Sequence, residues 1–213
     1  MTCGLCESTD TALYFKDEKR DWDYYQCRRC ELVFRDPQSF LSHEEEKQRY
    51  QTHDNNIENQ GYVDFLSPVV KALVPHLKPG AKGLDFGSGP GPILDKLFAE
   101  ENCEVKNYDP YFDYHPYLLE ENYDFITCTL SFAHFSIPFK VMVRITACLK
   151  PGGYLVIMTE MYQDLEHFKN WGYRMDPTHI CFLNSKGLQW LAGKWGYEIL
   201  SAKGRIFLLQ KKA

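Results

Sequence analysis

Residues 84–91 read Leu84-Asp85-Phe86-Gly87-Ser88-Gly89-Pro90-Gly91, and this stretch decides the predicted fold. Its apolar start is typical of a buried strand and its glycines of a turn, and residues 92–101 have the apolar spacing of a helix. Open α/β sheets bind ligands at such a turn between a strand and a helix. The spacing is G-x-G-x-G rather than the G-x-G-x-x-G of dinucleotide-binding folds, and a buried carboxylate at Asp85 would repel a pyrophosphate. We therefore expect a ligand with cationic or hydroxylic groups.

Strand-like and helix-like segments alternate from residue 82 to the end of the chain. Strands are predicted at 105–108, 124–130, 154–159, 197–202 and 205–210, and helices at 141–149, at 166–171 and from a cap at Ser185 onward. The alternation predicts an α/β fold with a mostly parallel sheet and helices on both faces. Only two residues join the last two strands, so we expect these strands to pair antiparallel. Two further helices are predicted upstream, at 40–50 and 62–77.

An acidic residue, Asp109, follows the second predicted strand and lies 18 residues after Gly91. A carboxylate at this place in an α/β sheet can accept both hydrogen bonds of a ribose 2′,3′-diol. Because Pro110 comes next, an acid that only shapes the turn is the alternative. Together with the glycine-rich turn, Asp109 favours a ligand that contains a ribose.

Four of the eight cysteines form two C-x2-C pairs near the N-terminus, Cys3 with Cys6 and Cys27 with Cys30. The 20 residues between the pairs match the spacing of a four-thiolate zinc site. Four protein ligands leave no open position on the metal, so we interpret the Zn²⁺ as structural. Free surface thiols or two redox-active pairs are the alternative. The other four cysteines are isolated and are expected to be reduced core residues.

Four stretches together resemble the class I S-adenosylmethionine-dependent methyltransferases: LDFGSGPG at 84–91, YDPYF around Asp109, YDFITCTLSFAHF at 123–135 and LKPGGYLVI at 149–157. With the cysteines ahead of them, the chain looks like a zinc ribbon followed by such an enzyme. The resemblance implies a Rossmann-like fold with an antiparallel last strand, S-adenosylmethionine as cofactor and S-adenosylhomocysteine as product. It implies these cofactor-binding residues: Asp85, Gly87, Ser88, Gly89, Pro90, Gly91, Tyr108, Asp109, Pro110, Tyr111, Thr129, Leu130 and Ser131. We divide the chain into a zinc-ribbon module (1–36), a helical connection or cap (37–80) and the cofactor-binding domain (81–213).

The chain departs from the family pattern in two places. Only about 14 residues, 110–123, separate the second strand from the third, where the family usually has a helix, a strand and another helix. This edge of the sheet should therefore be reduced, and Tyr111 or Phe112 would cover the adenine by stacking. After the third strand, related enzymes often carry carboxylates that bind a metal, whereas this chain has Ser131 and Ala133 beside His134. We expect no metal in the active site.

Two histidines are candidates for removing a proton from the methyl acceptor, since histidine is the usual base near neutral pH. His134 follows the third strand, and a loop histidine that only packs is the alternative. His179 lies in the segment D-P-T-H-x-x-F, which similar methyltransferases carry, and Asp176 could orient its ring; a capping aspartate with a solvated histidine is the alternative. Tyr50 and His53, three residues apart on a predicted helix, could cap the cofactor.

Composition narrows the function. The chain has 213 residues with 24 basic and 29 acidic side chains, and residues 1–36 are also slightly acidic, which argues against nucleic acid as a partner. No signal peptide or membrane-spanning run is visible, and reduced cysteines favour the cytoplasm. We therefore expect a methyltransferase for an O, N or C nucleophile of a small molecule. An RNA methyltransferase and a non-catalytic module that binds the cofactor or another protein are the alternatives.

Overall fold

A computed structural model describes residues 1–52 and 55–213 of the chain. The N-terminal part contains three strands, β1 (Thr11–Asp17), β2 (Trp22–Cys27) and β3 (Val33–Arg35), followed by helices α1 (His43–Gln51) and α2 (Gln60–Leu73). Helix α1 begins three residues later than predicted because Ser42 and Glu45 form a capping box that fixes its first turn. Short 3₁₀ helices cover Pro37–Ser39 and Val74–His76.

The remainder alternates strands with helices, as the sequence predicts. The strands are β4 (Lys82–Phe86), β5 (Glu104–Tyr108), β6 (Tyr123–Thr129), β7 (Leu149–Met158), β8 (Cys181–Phe182), β9 (Tyr197–Lys203) and β10 (Ile206–Lys211). The helices are α3 (Leu94–Glu100), α4 (Pro138–Cys148), α5 (Leu165–Asn170) and α6 (Ser185–Trp195), with 3₁₀ turns at Pro116–Glu120, Phe132–His134 and Gly172–Met175. The predicted cap of α6 is wrong by one residue. Asn184, not Ser185, is the N-cap, because its side-chain oxygen accepts the amide hydrogen of Gly187 at 2.7 Å.

Six strands form the larger sheet in the order β5-β4-β6-β7-β10-β9. The first four are parallel, and β10 runs antiparallel to both β7 and β9. The mostly parallel sheet and its antiparallel last strand are therefore confirmed. Within the described ranges no strand lies beyond β5, where residues after Tyr108 form only a bridge between Asp109 and Asp113 and a 3₁₀ turn. The reduced edge is thus present as well.

Helices cover both faces of this sheet. On one face α2 and α3 pack Leu66, Val69 and Phe98 against Phe125 of β6. On the other face α4 and α6 contribute Met142 and Leu191 to a core that continues into the N-terminal cysteine region. The core thereby leaves the carboxyl ends of β4, β5 and β6 together at one edge, where polar side chains collect.

The smaller sheet joins the N-terminal strands to a segment far along the chain. Its order is β1-β2-β3-β8, so a strand from residues 181–182 completes a sheet that otherwise comes from residues 11–35. Val33 pairs with Phe182 and Phe34 with Cys181. Sequence patterns did not predict this pairing, which crosses the expected boundary at residue 36. In the described part of the chain, no helix is long and apolar enough to cross a membrane.

Candidate active site and metal centre

The glycine-rich turn leaves β4 in a backbone conformation that requires glycine. Gly87 and Gly89 have φ angles of 80° and 70°. The amides of Gly87 and Ser88 donate to the carbonyl of Tyr108, at 2.8 and 3.2 Å, so the turn is tied to the end of β5. A Cβ atom on Gly87 would lie 2.6 Å from the Cβ of Ser131. The turn is therefore held between the ends of β5 and β6.

Asp109 fastens the same turn from the other side. Its Oδ2 accepts the amide of Gly89 at 2.9 Å, and its Oδ1 accepts the amides of Tyr111 and Phe112 at 2.8 and 3.1 Å. The alternative from the sequence, an acid that shapes its own turn, is thus what the structure shows directly. An ionised carboxylate has about four acceptor positions, so these three amides leave capacity for a ligand hydroxyl. Pro110, between the two halves of this network, is exposed.

Asp85 adds a buried carboxyl group beneath the turn. Only 2% of its surface is exposed, and Thr127 donates a hydrogen bond to it at 2.8 Å. Burial raises the pKa of Asp85 to about 7, and the nearby carboxylates of Asp95 and Asp109 add to the effect. Among residues 1–52 and 55–213, Ser88 Oγ and Asp95 Oδ1 are buried without a hydrogen-bond partner. These two unpaired oxygens, next to the Asp85 carboxyl group with its raised pKa, fit a ligand that donates hydrogen bonds or carries positive charge.

Two glycines of the turn differ in their surroundings. A Cβ atom on Gly89 would meet nothing closer than the Asn55 side chain, at 3.9 Å, so this glycine faces open space. A Cβ atom on Gly91 would lie 1.6 Å from the Asn55 carbonyl oxygen. Gly91 therefore allows the chain ahead of α2 to lie directly on the turn, while the exposed Pro90 separates the two positions.

The chain turns sharply after β6. Thr129 ends the strand, and Leu130 has a φ of 58°, a left-handed conformation that costs about 1–2 kcal/mol in a residue other than glycine. Its amide donates to the carbonyl of Met158 at 2.8 Å. The turn places Ser131 Oγ 3.2 Å from the carbonyl of Phe86, at the start of the glycine-rich turn. Thr129, Leu130 and Ser131 therefore border the same edge of the sheet as Asp85 and Asp109.

The two candidate histidines lie side by side, with ring centroids 4.8 Å apart. His134 Nδ1 is 3.0 Å from the carbonyl oxygen of Thr178, and His179 Nδ1 is 2.6 Å from that of Tyr173. A carbonyl oxygen only accepts, so both Nδ1 atoms carry the hydrogen. In the neutral rings the lone pair is then on Nε2, the arrangement that a general base needs.

The hydrogen bonds of Asp176 differ from those expected. Its Oδ1 accepts the amide and hydroxyl of Thr178, at 2.9 and 2.6 Å, and its Oδ2 accepts Arg49 Nη2 at 2.9 Å. Burial raises the pKa of Asp176, but the hydrogen bonds from Thr178 and Arg49 outweigh it and hold the pKa well below the usual range. Asp176 therefore bonds within its own loop and to Arg49. The backbone carbonyl of Tyr173, and not Asp176, accepts the hydrogen of His179 Nδ1.

Helix α1 lies over this region. The Tyr50 ring is 5.1 Å from that of His134, at 88°, and it also contacts the rings of Tyr111 and Phe112. Glu46 accepts hydrogen bonds from the hydroxyls of Tyr50 and Tyr111, the latter at 2.5 Å. Burial raises the pKa of both tyrosines, so the phenols stay protonated and donate. The structure thus brings Tyr50 to the site; His53, its predicted companion, lies outside the described residues.

The four N-terminal cysteines converge on one point. All are buried, and their Sγ atoms lie within 4.8 Å of one another. Cys3 Sγ is 3.5 Å from Cys30 Sγ, and Cys6 Sγ is 3.4 Å from Cys27 Sγ. Tetrahedral Zn²⁺ with bonds of about 2.3 Å separates its sulfur ligands by about 3.8 Å, so the cluster has the right size and donor set.

Several residues at the site gave no signal in the sequence. Arg49, Glu46 and Tyr173 belong to no motif, and they reach the site only because α1 and the Gly172–Met175 turn fold over the sheet edge. Arg35 likewise reaches it through the β3–β8 pairing.

Comparison with known proteins agrees with this geometry. A family model described as a methyltransferase domain matches residues 57–202. The chain belongs to this family. The match starts after the cysteine module and includes the glycine-rich turn, Asp109, His134 and His179. No curated protein sequence matches the chain.

Solved structures show the same fold. A SAM-dependent methyltransferase from Archaeoglobus fulgidus has 20% identity and a TM-score of 0.50, over 63% of this chain and 69% of its own. An O-methyltransferase family protein from Burkholderia thailandensis has 16% identity and a TM-score of 0.51, over 73% and 58%. The 1,6-didemethyltoxoflavin-N1-methyltransferase of the same organism, solved with its substrate and S-adenosylhomocysteine, has 14% identity and a TM-score of 0.53, over 94% and 99%. The fold is that of the SAM-dependent methyltransferases.

Proposed function

We propose that this protein transfers a methyl group from S-adenosylmethionine to an oxygen, nitrogen or carbon nucleophile of a small molecule. The pair of histidines supports this proposal most directly. Both rings are held with the lone pair on Nε2, and both lie near the strand end that also borders the glycine-rich turn. A site that pairs a cofactor turn with a base suits an acceptor that must lose a proton.

The residues around the turn fit the cofactor. Asp85 and the unpaired Ser88 hydroxyl suit its cationic end, Gly89 provides open space, and Asp109 retains capacity for a ribose hydroxyl. Tyr111, under α1, would cover the adenine. The wider proposed set is Gly87, Pro90, Gly91, Tyr108, Pro110, Thr129, Leu130 and Ser131. When bound, S-adenosylmethionine supplies an electrophilic methyl group and leaves as S-adenosylhomocysteine.

The chain's own residues would then do three things. Whichever of His134 and His179 faces the nucleophile accepts its proton at Nε2. Asp176 keeps the histidine loop folded through Thr178 and attaches it to α1 through Arg49. Helix α1, through Tyr50, covers the site and excludes water.

We propose that the four cysteines hold one structural Zn²⁺, since no ligand position would remain for a substrate. Eight buried thiols fit a reducing compartment, and we place the protein in the cytoplasm. RNA is disfavoured as the acceptor because its binding depends on clustered Lys and Arg, whereas the formal net charge is −5.

Methyl-labelled S-adenosylmethionine tests the proposal. The protein is incubated separately with a small-molecule extract, with total RNA and with a protein extract, and the label is followed. We expect label in the small-molecule extract, reduced by His134→Asn and by His179→Asn but not by His76→Asn, an exposed histidine against Tyr154. Label in RNA alone would replace the small-molecule proposal. Absence of S-adenosylhomocysteine binding in calorimetry would favour the non-catalytic alternative.

A further inference from the structure

Arg35, the last residue of β3, holds both ends of a short segment that carries His179. Its Nη2 donates to the carbonyl of Pro177 at 2.7 Å and to that of Ser39 at 3.2 Å. Its backbone amide donates to the carbonyl of Ile180 at 2.9 Å. Residues 178 and 179 lie between these two attachment points, so Arg35 determines where the segment 177–180 lies.

The same segment also orients His134. Its Thr178 carbonyl accepts the hydrogen of His134 Nδ1, and its Ile180 amide donates to the carbonyl of Ala133 at 2.7 Å. A displacement of residues 177–180 would therefore remove the hydrogen-bond acceptor of one candidate base and move the other. Arg35 therefore acts on His134 through the Thr178 carbonyl and on His179 through the backbone that carries it.

Stability alone does not explain an arginine at this position. Arg35 is fully buried, and in the described residues no carboxylate forms an ion pair with it. Its Nε and Nη1 have no hydrogen-bond partner, although the Tyr24 hydroxyl and the charge of Asp176 favour its charged form. Its guanidinium group lies 4.3 Å above the Trp22 ring. Burying a charge without an ionic partner is costly, and an apolar side chain would fill the space at less cost. The neighbouring buried Arg174 shows the contrast, because it pairs with Asp17 at 2.7 Å.

We propose that Arg35 is a positioning residue for the methyl-acceptor site: it fixes the segment 177–180 and thereby keeps His134 and His179 with hydrogen on Nδ1 and the lone pair on Nε2. The proposal rests on the proposed function of the two histidines. It also assigns a task to the N-terminal cysteine module, which delivers Arg35 to the catalytic edge of the sheet five residues after Cys30.

Histidine tautomers can be measured without knowing the substrate. The full-length zinc-loaded protein is labelled with ¹⁵N-histidine, and its NMR signals are assigned with His134→Asn and His179→Asn. Arg35→Met has nearly the same length, removes the buried charge and is expected to fold. Arg35→Lys retains a charged donor for the two carbonyls. Arg28→Gln is the control, because Arg28 lies in the same module but is exposed and pairs with Asp10.

We expect the ratio of Nδ1–H to Nε2–H tautomer at His134 to fall about tenfold in Arg35→Met, the effect of losing one hydrogen bond. His179 should change in the same direction, Arg35→Lys should restore most of the wild-type ratio, and Arg28→Gln should match the wild type. The affinity for S-adenosylhomocysteine and the zinc content should stay within about twofold, since neither site contains Arg35.

Unchanged tautomers in Arg35→Met would overturn the proposal. So would a parallel loss of S-adenosylhomocysteine affinity, zinc and thermal stability, because Arg35 would then serve only the fold. If Arg35→Met does not fold, Arg35→Lys provides the test. Faster amide exchange at Ile180 in that variant with an unchanged tautomer ratio would overturn the proposal, because the segment would have moved without affecting the histidines. Failure of the proposed function would give a different result: the wild-type protein would bind no S-adenosylhomocysteine, whichever tautomers its histidines adopt.

Discussion

Replacing Gly89 with alanine is expected to weaken S-adenosylhomocysteine binding, and Gly152 provides a matched control. Both glycines have a left-handed backbone, with φ angles of 70° and 75°, and neither has an atom closer than 3.9 Å to an added Cβ. Alanine in this conformation costs about 1–2 kcal/mol at either position. For a chain of this length that lowers the Tm by about 2–8 °C. The two variants should therefore be equally destabilised.

Only the methyl group at residue 89 would occupy the space proposed for the cofactor. Overpacking by one methyl typically costs about 1–3 kcal/mol, which corresponds to about a 5- to 150-fold increase in Kd. Isothermal titration calorimetry with S-adenosylhomocysteine measures this, and differential scanning calorimetry measures the Tm. Gly152→Ala should bind as the wild type does. If Gly89→Ala binds equally well while its Tm falls like that of Gly152→Ala, the glycine-rich turn does not hold the cofactor.

Three further predictions concern the metal, the buried acid and the cap. The double variant Cys27→Ser/Cys30→Ser should lose the zinc, about one ion per chain by elemental analysis, whereas Cys103→Ser should retain it. The free energy of unfolding of Asp85→Asn minus that of the wild type, measured with urea, should rise by up to about 4 kcal/mol between about pH 4 and pH 7. The reason is that a folded pKa near 7 exceeds the unfolded value, so the wild-type protein loses stability over that window. Arg49→Gln should speed amide exchange in α1 while changing the free energy of unfolding by less than about 1 kcal/mol, since the ion pair is partly exposed.

Each of these has a result that would contradict it. Zinc retained in the double cysteine variant, or absent from the wild type, would remove the metal centre. A stability difference between wild type and Asp85→Asn that is independent of pH would mean that the carboxyl is not held neutral by burial. Unchanged amide exchange in Arg49→Gln would show that α1 is held in place by its tyrosines alone.

Local patterns in the sequence predicted much of the fold. The period of apolar residues and the glycine-rich turn indicated the parallel strands, and the two-residue connection indicated the antiparallel end. The short segment 110–123 predicted the reduced edge, and the paired cysteines predicted their cluster. Each of these features is encoded by residues close together in the chain, so spacing alone reveals it.

Contacts between distant residues were not predictable in this way. Asp176 was expected to orient His179, but its neighbour Thr178 and the distant Arg49 take its hydrogen bonds. In the sequence Arg35 looks like an ordinary charged residue. Its contact with the Pro177 carbonyl exists only because β8 pairs with β3 in the fold. Local periodicity contains no information about which loop a side chain will meet, and a buried guanidinium group without a carboxylate partner contradicts the usual expectation for arginine.

The pairing of β3 with β8 sets an order of events during synthesis of the chain. All four cysteines are available once about the first 30 residues have emerged, so the proposed zinc site could assemble early. Their sheet is not complete, however, until residues 181–182 arrive, after four of the six strands of the larger sheet have been made. Until then the edge of β3 is unpaired, and Arg35 has no carbonyl of residue 177 to hold. The N-terminal cysteine module is therefore translated first but completes its sheet late. The two histidines can take up their final arrangement only after that.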